Sequence, residues 1–474
     1  MSGIVAYGTY VPFHRLDRAA ISAALGEASG EGQRAVAAYD EDTTTMAVEA
    51  GRIAVRGLAP DALPEAVHFA TADPAYLDKT NAATINAALA LEASTAAYDM
   101  VGSVRSSVGA LRAALDSPGP ALAVAADVRV GLPGGADERE GGDGAAAFVC
   151  GPGTADAPVL AERISTGSAT GEFLDRWRVP GRRHSEVWEE RFGDFAYAPL
   201  AERALDDALS AGGVDPEEVG HLVVTGTQVR AVRSVVKASG CLPEALVDDL
   251  SATVGNTGAA HPGMLLASAL DRAGPGALVV LVVLADGADA LVFRTTDALA
   301  ERRPTPTVAD QISSGRGDLP YASFLTWRGL LVREPPRRPD PSPPAAPPAL
   351  RSEDWKFGFV AARCDECGAR NLPPQRVCRS CRAVDQMSAE PLADAAATIA
   401  TFTIDRLAPS LERPLVAAVL DFDGGGRYRC ELTDVDPDAV AIGDRVEMTF
   451  RRLSTVDGVH NYFWKARPKR KETA

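Results

Sequence analysis

The sequence lacks any uninterrupted apolar run that approaches the roughly 18 residues of a membrane-spanning helix, so we expect no membrane span. Its first residues, MSGIVAYGTYVPFHR, lack the pattern of a signal peptide, which makes the cytoplasm the expected location. The chain also lacks a basic excess, since 48 Lys and Arg residues against 64 Asp and Glu residues give a net charge of −16. An acidic chain is a poor general nucleic-acid binder, so no nucleic-acid partner is predicted.

Cysteine is scarce as well. The odd number of cysteines, seven, argues against a disulfide scaffold and for a reducing compartment. Four of them form two Cys-x2-Cys pairs separated by ten residues, at Cys364, Cys367, Cys378 and Cys381. This is the spacing of two zinc knuckles that together close one tetrahedral site. Because four thiolates leave no coordination position open, the sequence predicts one zinc ion per chain with a structural role.

The proline distribution shows where this long chain divides. A chain of 474 residues is too long to form one ordinary hydrophobic core, so more than one domain is expected. The stretch REPPRRPDPSPPAAPPALRSED (333–354) predicts an extended, semi-rigid linker between a large body and a smaller C-terminal module. Residues 351–474 contain 19 basic and 19 acidic residues, so the net negative charge belongs to the body. The basic end of the module, WKARPKRK (464–471), is interpreted as a solvated terminus.

The body repeats itself. PEAVHFATAD (64–73) matches PEEVGHLVVTGT (216–227), in each case an acidic turn followed by a buried apolar strand. Residues 94–130 and 246–287 then each continue as strand, small-residue turn, helix, Pro-Gly break and second apolar strand, and each half closes with a hairpin strand. Apolar strands that alternate with helices are typical of parallel sheets covered on both faces. The repeat predicts a pseudo-two-fold α/β body with one central helix from each half.

The module is predicted to be rich in strands after its cysteine pairs. A turn at Gly424, Gly425 and Gly426 and the alternation in RYRCEL indicate a small closed barrel of the OB type. We therefore expect five units along the chain: an N-terminal half of the body (1–160), a C-terminal half (161–332), the linker (333–354), a zinc ribbon (355–390) and a barrel (391–474).

Several stretches of the body resemble the thiolase superfamily, nearest to archaeal hydroxymethylglutaryl-CoA synthase and to ketoacyl synthase III. They are GIVAYGTYVPFHRL (3–16), EDTTTMAVEAGRIAV (41–55), FATADPAYLDKT (69–80), GDGAAAFVCG (142–151) and the segment 254–293 that begins VGNTGAAHPG. The resemblance implies a duplicated five-layer α/β/α/β/α fold, a homodimer, and action on CoA or carrier-protein thioesters.

The resemblance also identifies catalytic positions that have changed. The position of the family's cysteine, counted from Asp99, holds Val104, the position of its histidine holds Thr225, and the position of the synthase's glutamate holds Ala72. Of the four family residues only the asparagine of GNTGAA, Asn256, is kept. Covalent thioester exchange needs a thiolate or an equivalent activated nucleophile, which valine cannot supply.

Other residues near these positions offer non-covalent chemistry. Ser103 precedes Val104, Asp73 follows Ala72, and His261 follows Asn256 by five residues at the start of the predicted second central helix. An aldol reaction needs a base at a hydroxyl group and donors for a thioester enolate, and we assign these catalytic roles to His261, Asn256 and Asp73. Ser103 is the remaining catalytic candidate, as the nucleophile of a covalent reaction. The alternatives are a turn for Asp73-Pro74 and a helix-start residue bonded to a backbone carbonyl for His261.

Further candidates lie outside this set. Tyr76 and Tyr98 are possible oxyanion donors but are also typical packing residues, and Cys150 and Cys241 are interpreted as inert buried thiols. The basic residues of RAVRSVVK lie one or two helical turns apart and are predicted to bind CoA phosphates, unless they form a solvated helix face; they are Arg230, Arg233 and Lys237.

The C-terminal module resembles the acyl-CoA-associated zinc ribbon and OB-fold unit that accompanies thiolases, archaeal synthases and steroid side-chain aldolases, often as a separate subunit. Three functions therefore stay open. The favoured one is a non-covalent aldolase or retro-aldolase, a carbon–carbon lyase, on a β-hydroxyacyl-CoA substrate. The others are a Claisen-type condensing enzyme like hydroxymethylglutaryl-CoA synthase, and a non-catalytic acyl-CoA-binding scaffold that pairs with an active thiolase or dehydratase. Fold alone does not decide among them.

Overall fold

The computed structural model describes residues 2–335, 337, 341–408 and 410–469. The strands of the body are β1 (Gly3–Tyr10), β2 (His14–Asp17), β3 (Gln33–Val36), β4 (Ala66–Thr71), β5 (Ala96–Val101), β6 (Ala121–Val128), β7 (Asp143–Gly151), β8 (Ala161–Thr170), β9 (Arg176–Trp177), β10 (Glu186–Val187), β11 (His221–Gly226), β12 (Leu278–Leu284) and β13 (Gly287–Thr295). Those of the module are β14 (Val360–Cys364), β15 (Arg370–Asn371), β16 (Met387–Pro391), β17 (Ala397–Asp405), β18 (Leu415–Phe422), β19 (Arg427–Leu432), β20 (Arg445–Val456) and β21 (Val459–Pro468).

The helices lie mainly in the body and cover its sheet. They are α1 (Arg18–Leu25), α2 (Thr43–Val55), α3 (Asn81–Ala88), α4 (Arg105–Leu115), α5 (Ala136–Glu140), α6 (Glu190–Gly212), α7 (Val229–Ala238), α8 (His261–Leu270), α9 (Ala298–Glu301), α10 (Val308–Ser313), α11 (Tyr321–Trp327), α12 (Ala346–Arg351) and α13 (Glu353–Lys356). No helix in the described ranges combines the length and the apolar character that crossing a bilayer requires.

The large sheet confirms the predicted duplication. Among the described residues its strand order is β11-β12-β13-β8-β1-β7-β6-β4-β5. The order β1-β7-β6-β4 in one half corresponds to β8-β13-β12-β11 in the other, and the two halves join where β1 pairs with β8. Strands β4, β5 and β6 are parallel, as are β11 and β12, while the closing strands β7 and β13 run antiparallel to their neighbours.

The two central helices, α4 and α8, contact each other and the strands of both halves. Small residues permit this close approach. A Cβ atom on Gly263 of α8 would lie 2.8 Å from the Ala146 side chain of β7 and 3.1 Å from the ring of Phe148. Since real Cβ atoms do not approach other atoms that closely, glycine lets α8 lie directly on the sheet.

The module consists of a three-stranded ribbon, β15-β14-β16, followed by a closed barrel, β17-β18-β19-β21-β20. The predicted turn joins β18 to β19, and its three glycines, Gly424, Gly425 and Gly426, all have positive φ angles that only glycine adopts easily. The ribbon and the barrel were both predicted from the sequence, and both are confirmed.

The barrel packs against α2, and the two share one core. Residues on every side of α2 are buried, because the helix lies between strands β1, β6 and β7 of the body and strand β20 of the barrel. Side chains such as Met46 and Val48 of α2 belong to the same buried cluster as Phe450 and Trp464 of the barrel. The body and the module are therefore in direct contact and not merely tethered.

Ion pairs inside this contact correct the interpretation of the basic C-terminal segment. Lys465 lies 2.9 Å from both Asp40 and Glu431, and Arg467 lies 3.1 Å from Glu49, with both basic side chains at most 10% exposed. The segment up to Pro468 thus belongs to strand β21 of the barrel, and the charges of Lys465 and Arg467 are neutralised by acidic residues of both the body and the barrel. Residues 470 and 471 lie outside the described residues.

The linker differs from the predicted extended spacer in one part. Residues Ala346–Arg351 form the short helix α12, whose first turn contains Pro347 and Pro348. Proline is tolerated there because the first backbone N–H groups of a helix have no intrahelical acceptor. The sequence analysis predicted only an extended backbone for this stretch.

Candidate functional site

A cavity of about 380 Å³ opens at the carboxyl ends of β4, β5 and β6, in front of the first turn of α4. Its wall comes from both halves of the body, because the β12–β13 turn and the loop after β8 close the side opposite β4. The polar or charged side chains of the wall belong to Asp73, Ser103, Asp127, Arg129, Asp175, Arg176, Arg178, Arg182, Arg183, Ser185, Tyr197, Thr227 and Asp286. The cavity therefore combines carboxylates with guanidinium groups.

The start of α4 brings its N-cap residue, Val104, and the preceding Ser103 to the wall. Among the described residues that line the cavity there is no cysteine. Cys150 lies in β7, fully buried, and burial raises the pKa of its thiol far above the ordinary range. Burial also raises the pKa of Cys241, so neither thiol forms a thiolate easily.

Asp127 fixes the turn that carries Asp73. Its carboxylate accepts hydrogen bonds from the Thr71 hydroxyl (2.9 Å) and from the backbone N–H groups of Ala72 (2.7 Å) and Ala259 (2.6 Å). The adjacent Asp73 faces the cavity, and its carboxylate lies 3.5 Å from the Arg178 guanidinium. Desolvation raises the pKa of Asp73, and Arg178 acts in the opposite direction.

A second polar group stands across the cavity. Burial raises the pKa of the Asp286 carboxyl, and the nearby Ser103 hydroxyl opposes this increase. The buried Tyr197 hydroxyl accepts a hydrogen bond from the backbone N–H of Asp286 (3.3 Å) and lies close to the Asp175 carboxylate. The sequence analysis missed Asp286, Asp175 and Tyr197, since no local pattern distinguishes them from ordinary turn and packing residues.

Asn256 and His261 lie beside the wall and are not part of it. The Asn256 side chain donates to the carbonyl of Gly226 and accepts from the N–H of Gly258, both at 3.0 Å. His261 is buried, its Nδ1 lies 3.4 Å from the Thr257 hydroxyl, and burial lowers its pKa to about 4. The His261 side chain does not line this cavity. The structure thus brings together two of the four predicted catalytic residues, Asp73 and Ser103.

The predicted CoA-binding residues Arg230, Arg233 and Lys237 lie on the exposed side of α7 and do not line the cavity. The guanidinium groups at the cavity come instead from the loop after β8, where RWRVPGRR (176–183) contains four arginines in eight residues. This high density of arginines could have identified the loop as a candidate binding segment from the sequence alone. In β11, Thr225 is buried within the strand, whereas Thr227, just beyond its end, faces the cavity.

The four predicted metal ligands form a separate site in the module. The Sγ atoms of the two pairs all lie within 4.8 Å of one another, and the distances between Cys364 and Cys381 and between Cys367 and Cys378 are both 3.6 Å. Tetrahedral zinc with Zn–S bonds of about 2.3 Å needs sulfur atoms about 3.8 Å apart, so the arrangement fits zinc.

The two knuckles of this site have the same backbone geometry. The N–H of Gly368 bonds to the carbonyl of Cys364, and the N–H of Arg382 bonds to the carbonyl of Cys378. Gly368 and Arg382 both have positive φ angles. Each pair of cysteines is thereby presented by one tight turn, which explains why the Cys-x2-Cys spacing identified the site.

Three family models match parts of the chain. Residues 209–294 match the C-terminal part of 3-oxoacyl-[acyl-carrier-protein] synthase III, residues 358–386 match the rubredoxin-like zinc ribbon domain of ChsH2, and residues 389–451 match the C-terminal OB-fold domain of ChsH2. The chain is a thiolase-like body fused to a zinc ribbon and an OB-fold barrel.

Individual relatives agree with this assignment for the body. The hydroxymethylglutaryl-CoA synthase of Aeropyrum pernix is 29% identical over 346 residues, covering 70% of this chain and 95% of that protein. The enzyme of the same name from Methanopyrus kandleri is 28% identical over 347 residues, covering 69% of this chain and 97% of that protein. The thiolase-like body is thus similar to these synthases along nearly their whole length.

Solved structures share the fold at lower identity. PksG, a hydroxymethylglutaryl-CoA synthase from Bacillus subtilis, superposes with a TM-score of 0.60 at 17% identity, covering 69% of this chain and 89% of that one. The 3-oxoacyl-[acyl-carrier-protein] synthase III of Aquifex aeolicus gives a TM-score of 0.54 at 19% identity, covering 62% and 100%. The predicted five-layer thiolase-like fold is confirmed.

Proposed function

We propose that this protein acts on an acyl-CoA thioester without an acyl-enzyme intermediate, as an aldolase or retro-aldolase on a β-hydroxyacyl-CoA. The observation that carries the proposal is the composition of the cavity wall at the start of α4. There, an apolar Val104 stands where the related enzymes are expected to hold a nucleophile, while Asp73 and Ser103 face the same space. Proton transfer and hydrogen bonding are the chemistry that these side chains supply.

The arginine-rich loop supports a CoA substrate. Arg178, Arg182 and Arg183 line the cavity of an otherwise acidic protein, and guanidinium groups bind phosphates through paired N–H donors. We assign the phosphates of CoA to these residues in place of the α7 residues predicted from the sequence. The acyl chain then extends toward Ser103 and Asp73.

A homodimer is part of the proposal. Strand β5 lies at the end of the sheet in the described part of the chain, and its Tyr98 and Val101 side chains are 57% and 47% exposed. An edge strand with exposed apolar side chains is suited to pairing with a second copy.

The test is to incubate the zinc-containing protein with a panel of β-hydroxyacyl-CoAs of different chain length. We expect at least one to be cleaved to a shorter acyl-CoA and an aldehyde or ketone, with no mass added to the protein. Treatment with a thiol-alkylating reagent, with the zinc retained, should leave this activity unchanged.

The second candidate is a Claisen-type condensing enzyme, favoured by the similarity to hydroxymethylglutaryl-CoA synthases and by the position of the Ser103 hydroxyl near Asp286 on the cavity wall. It predicts a stable acyl adduct on Ser103 in intact-mass spectra, which would overturn the aldolase proposal. Binding of CoA esters without turnover of any of them would support the scaffold function instead.

A further inference from the structure

The turn between β12 and β13 holds Asp286 at a fixed place on the cavity wall. Its φ angle is +48°, a left-handed conformation that is uncommon outside glycine, and such residues often occur at functional sites. The Arg105 side chain fixes this conformation, since its Nη1 donates to the carbonyl of Asp286 (2.7 Å) and its Nε lies 2.8 Å from the Asp289 carboxylate. The backbone is thus anchored while the carboxylate faces the cavity.

Polar groups surround the carboxylate. The Ser103 hydroxyl, adjacent to Val104, lies close to the Asp286 carboxylate on the same wall. Behind it, the Tyr197 hydroxyl accepts a hydrogen bond from the Asp286 backbone N–H (3.3 Å) and lies close to Asp175, to which the Gln228 side-chain amide donates at 3.3 Å. The chain of contacts joins the first turn of α4, the β12–β13 turn, α6 and the loop after β8.

We propose that Asp286 is the general acid–base residue of the cavity, with Ser103, Tyr197 and Asp175 as its positioning residues. This assignment rests on the proposed aldolase function and adds a residue that sequence comparison did not indicate. The carboxylate would stand next to Val104, where no thiolate competes for the substrate carbonyl.

The reaction balances without a further reactant. The Asp286 carboxylate takes the proton of the β-hydroxyl group, a C=O bond forms at Cβ, and the Cα–Cβ bond breaks. The electron pair of that bond forms the thioester enolate, and Asp286 returns the proton to Cα. One β-hydroxyacyl-CoA thus gives one shorter acyl-CoA and one aldehyde or ketone.

The surrounding charges set the pH dependence. Burial raises the pKa of Asp286, and the nearby carboxylates of Asp175 and Glu172 raise it further, while Ser103 and Arg105 oppose the increase. The reactive form is the carboxylate, so kcat/KM should fall as the pH decreases through this raised pKa.

The decisive variant is Asp286→Asn, which keeps the size and polarity of the side chain and removes its basicity. We expect turnover to fall by about 10²-fold or more, with CoA affinity and melting temperature unchanged, because a lost acid–base group usually has this effect. Asp286→Glu should recover part of the activity. Asp206→Asn, on the exposed side of α6, is the matched control and should behave like wild type.

The proposed role of Tyr197 in positioning Asp286 is tested separately with the variant Tyr197→Phe. Loss of the hydroxyl should lower kcat by about tenfold and leave KM unchanged, and it should also move the acidic limb of the pH profile. A purely structural role for Tyr197 would lower the melting temperature without moving that limb.

A second reaction separates this inference from the function on which it rests. Wild-type protein should exchange the α-protons of a simple acyl-CoA with deuterium from D2O, since this needs the base but no carbon–carbon cleavage. Exchange that disappears in Asp286→Asn supports the inference even if no β-hydroxyacyl-CoA is cleaved. Equal cleavage by wild type and Asp286→Asn would overturn it and leave the aldolase function intact, and the absence of both reactions in wild type would overturn both.

Discussion

At the scale of single residues, Arg451 shows how the barrel is held on the body. Its guanidinium group is fully buried and forms ion pairs with Asp40 and Glu41 of the body and with Asp434 of the barrel, 2.7 Å away. Three carboxylates around one guanidinium group raise its pKa well above the ordinary value and keep it charged. A cation in this position is required because the acidic groups are also out of contact with water.

We expect Arg451→Met to lower the free energy of unfolding by roughly 3–5 kcal/mol, since it leaves buried carboxylates without their partner. The measurement is denaturant unfolding of the full chain. Arg429→Met, at an exposed position of the same barrel, is the matched control and should change stability little. Equal stability of the two variants would show that the buried ion pairs do not hold the interface.

His261 gives a prediction at the same scale. Its pKa is lowered by burial to about 4, whereas an unfolded histidine titrates near 6.5, so between these pH values only the unfolded state takes up the proton. Stability contributed by the neutral ring is therefore lost as the pH falls. Between pH 7 and pH 5 we expect His261→Gln to reduce the pH-dependent loss of unfolding free energy by about 2 kcal/mol.

His184→Gln provides the comparison for that measurement, because His184 lies in the partly exposed loop after β8. The two variants should differ in the slope of stability against pH. An unchanged slope in His261→Gln would mean that the imidazole is protonated as easily in the folded protein as in the unfolded chain.

At the scale of elements, the sequence predicted the features that depend on residues close together in the chain, and it did not predict contacts between distant parts of the chain. The zinc knuckles and the glycine turn of the barrel are local, so the spacing of Cys364 and Cys367 or the run at Gly424 was sufficient to predict them. Helix α2 is different. Its sequence indicates a helix, but a helix buried on all sides gives no sign of which element covers its second face.

The zinc ribbon provides the prediction for this scale. Metal analysis should return one equivalent of zinc per chain, and Cys364→Ser should abolish tight binding and destabilise the ribbon, since metal binding and folding of such a unit are coupled. The α/β body should keep its melting transition. Cys241→Ser removes a thiol outside the cluster and should retain the zinc. Full zinc occupancy in Cys364→Ser would contradict the four-thiolate assignment.

At the scale of the whole molecule, the sequence predicted the units but not their arrangement. The repeat predicted the duplicated body, and the resemblance placed Asp73 and Ser103 near the cavity that they line. Asp286 was not predictable, because it reaches Ser103 only when the two halves fold together, and 183 positions separate the two residues in the chain. The burial of Lys465 was missed for a similar reason, since its partner Asp40 lies in the other unit.

The shared core between α2 and the barrel also changes the meaning of the proline-rich linker. Two surfaces that already match in shape and charge do not need a peptide bond to recognise each other. The linker does not strengthen the contact between the two surfaces. It keeps the barrel at a high effective concentration beside the body during and after synthesis. One gene for both parts guarantees equal numbers of each, and a chain cut within the linker would retain the contacts that define the assembled protein.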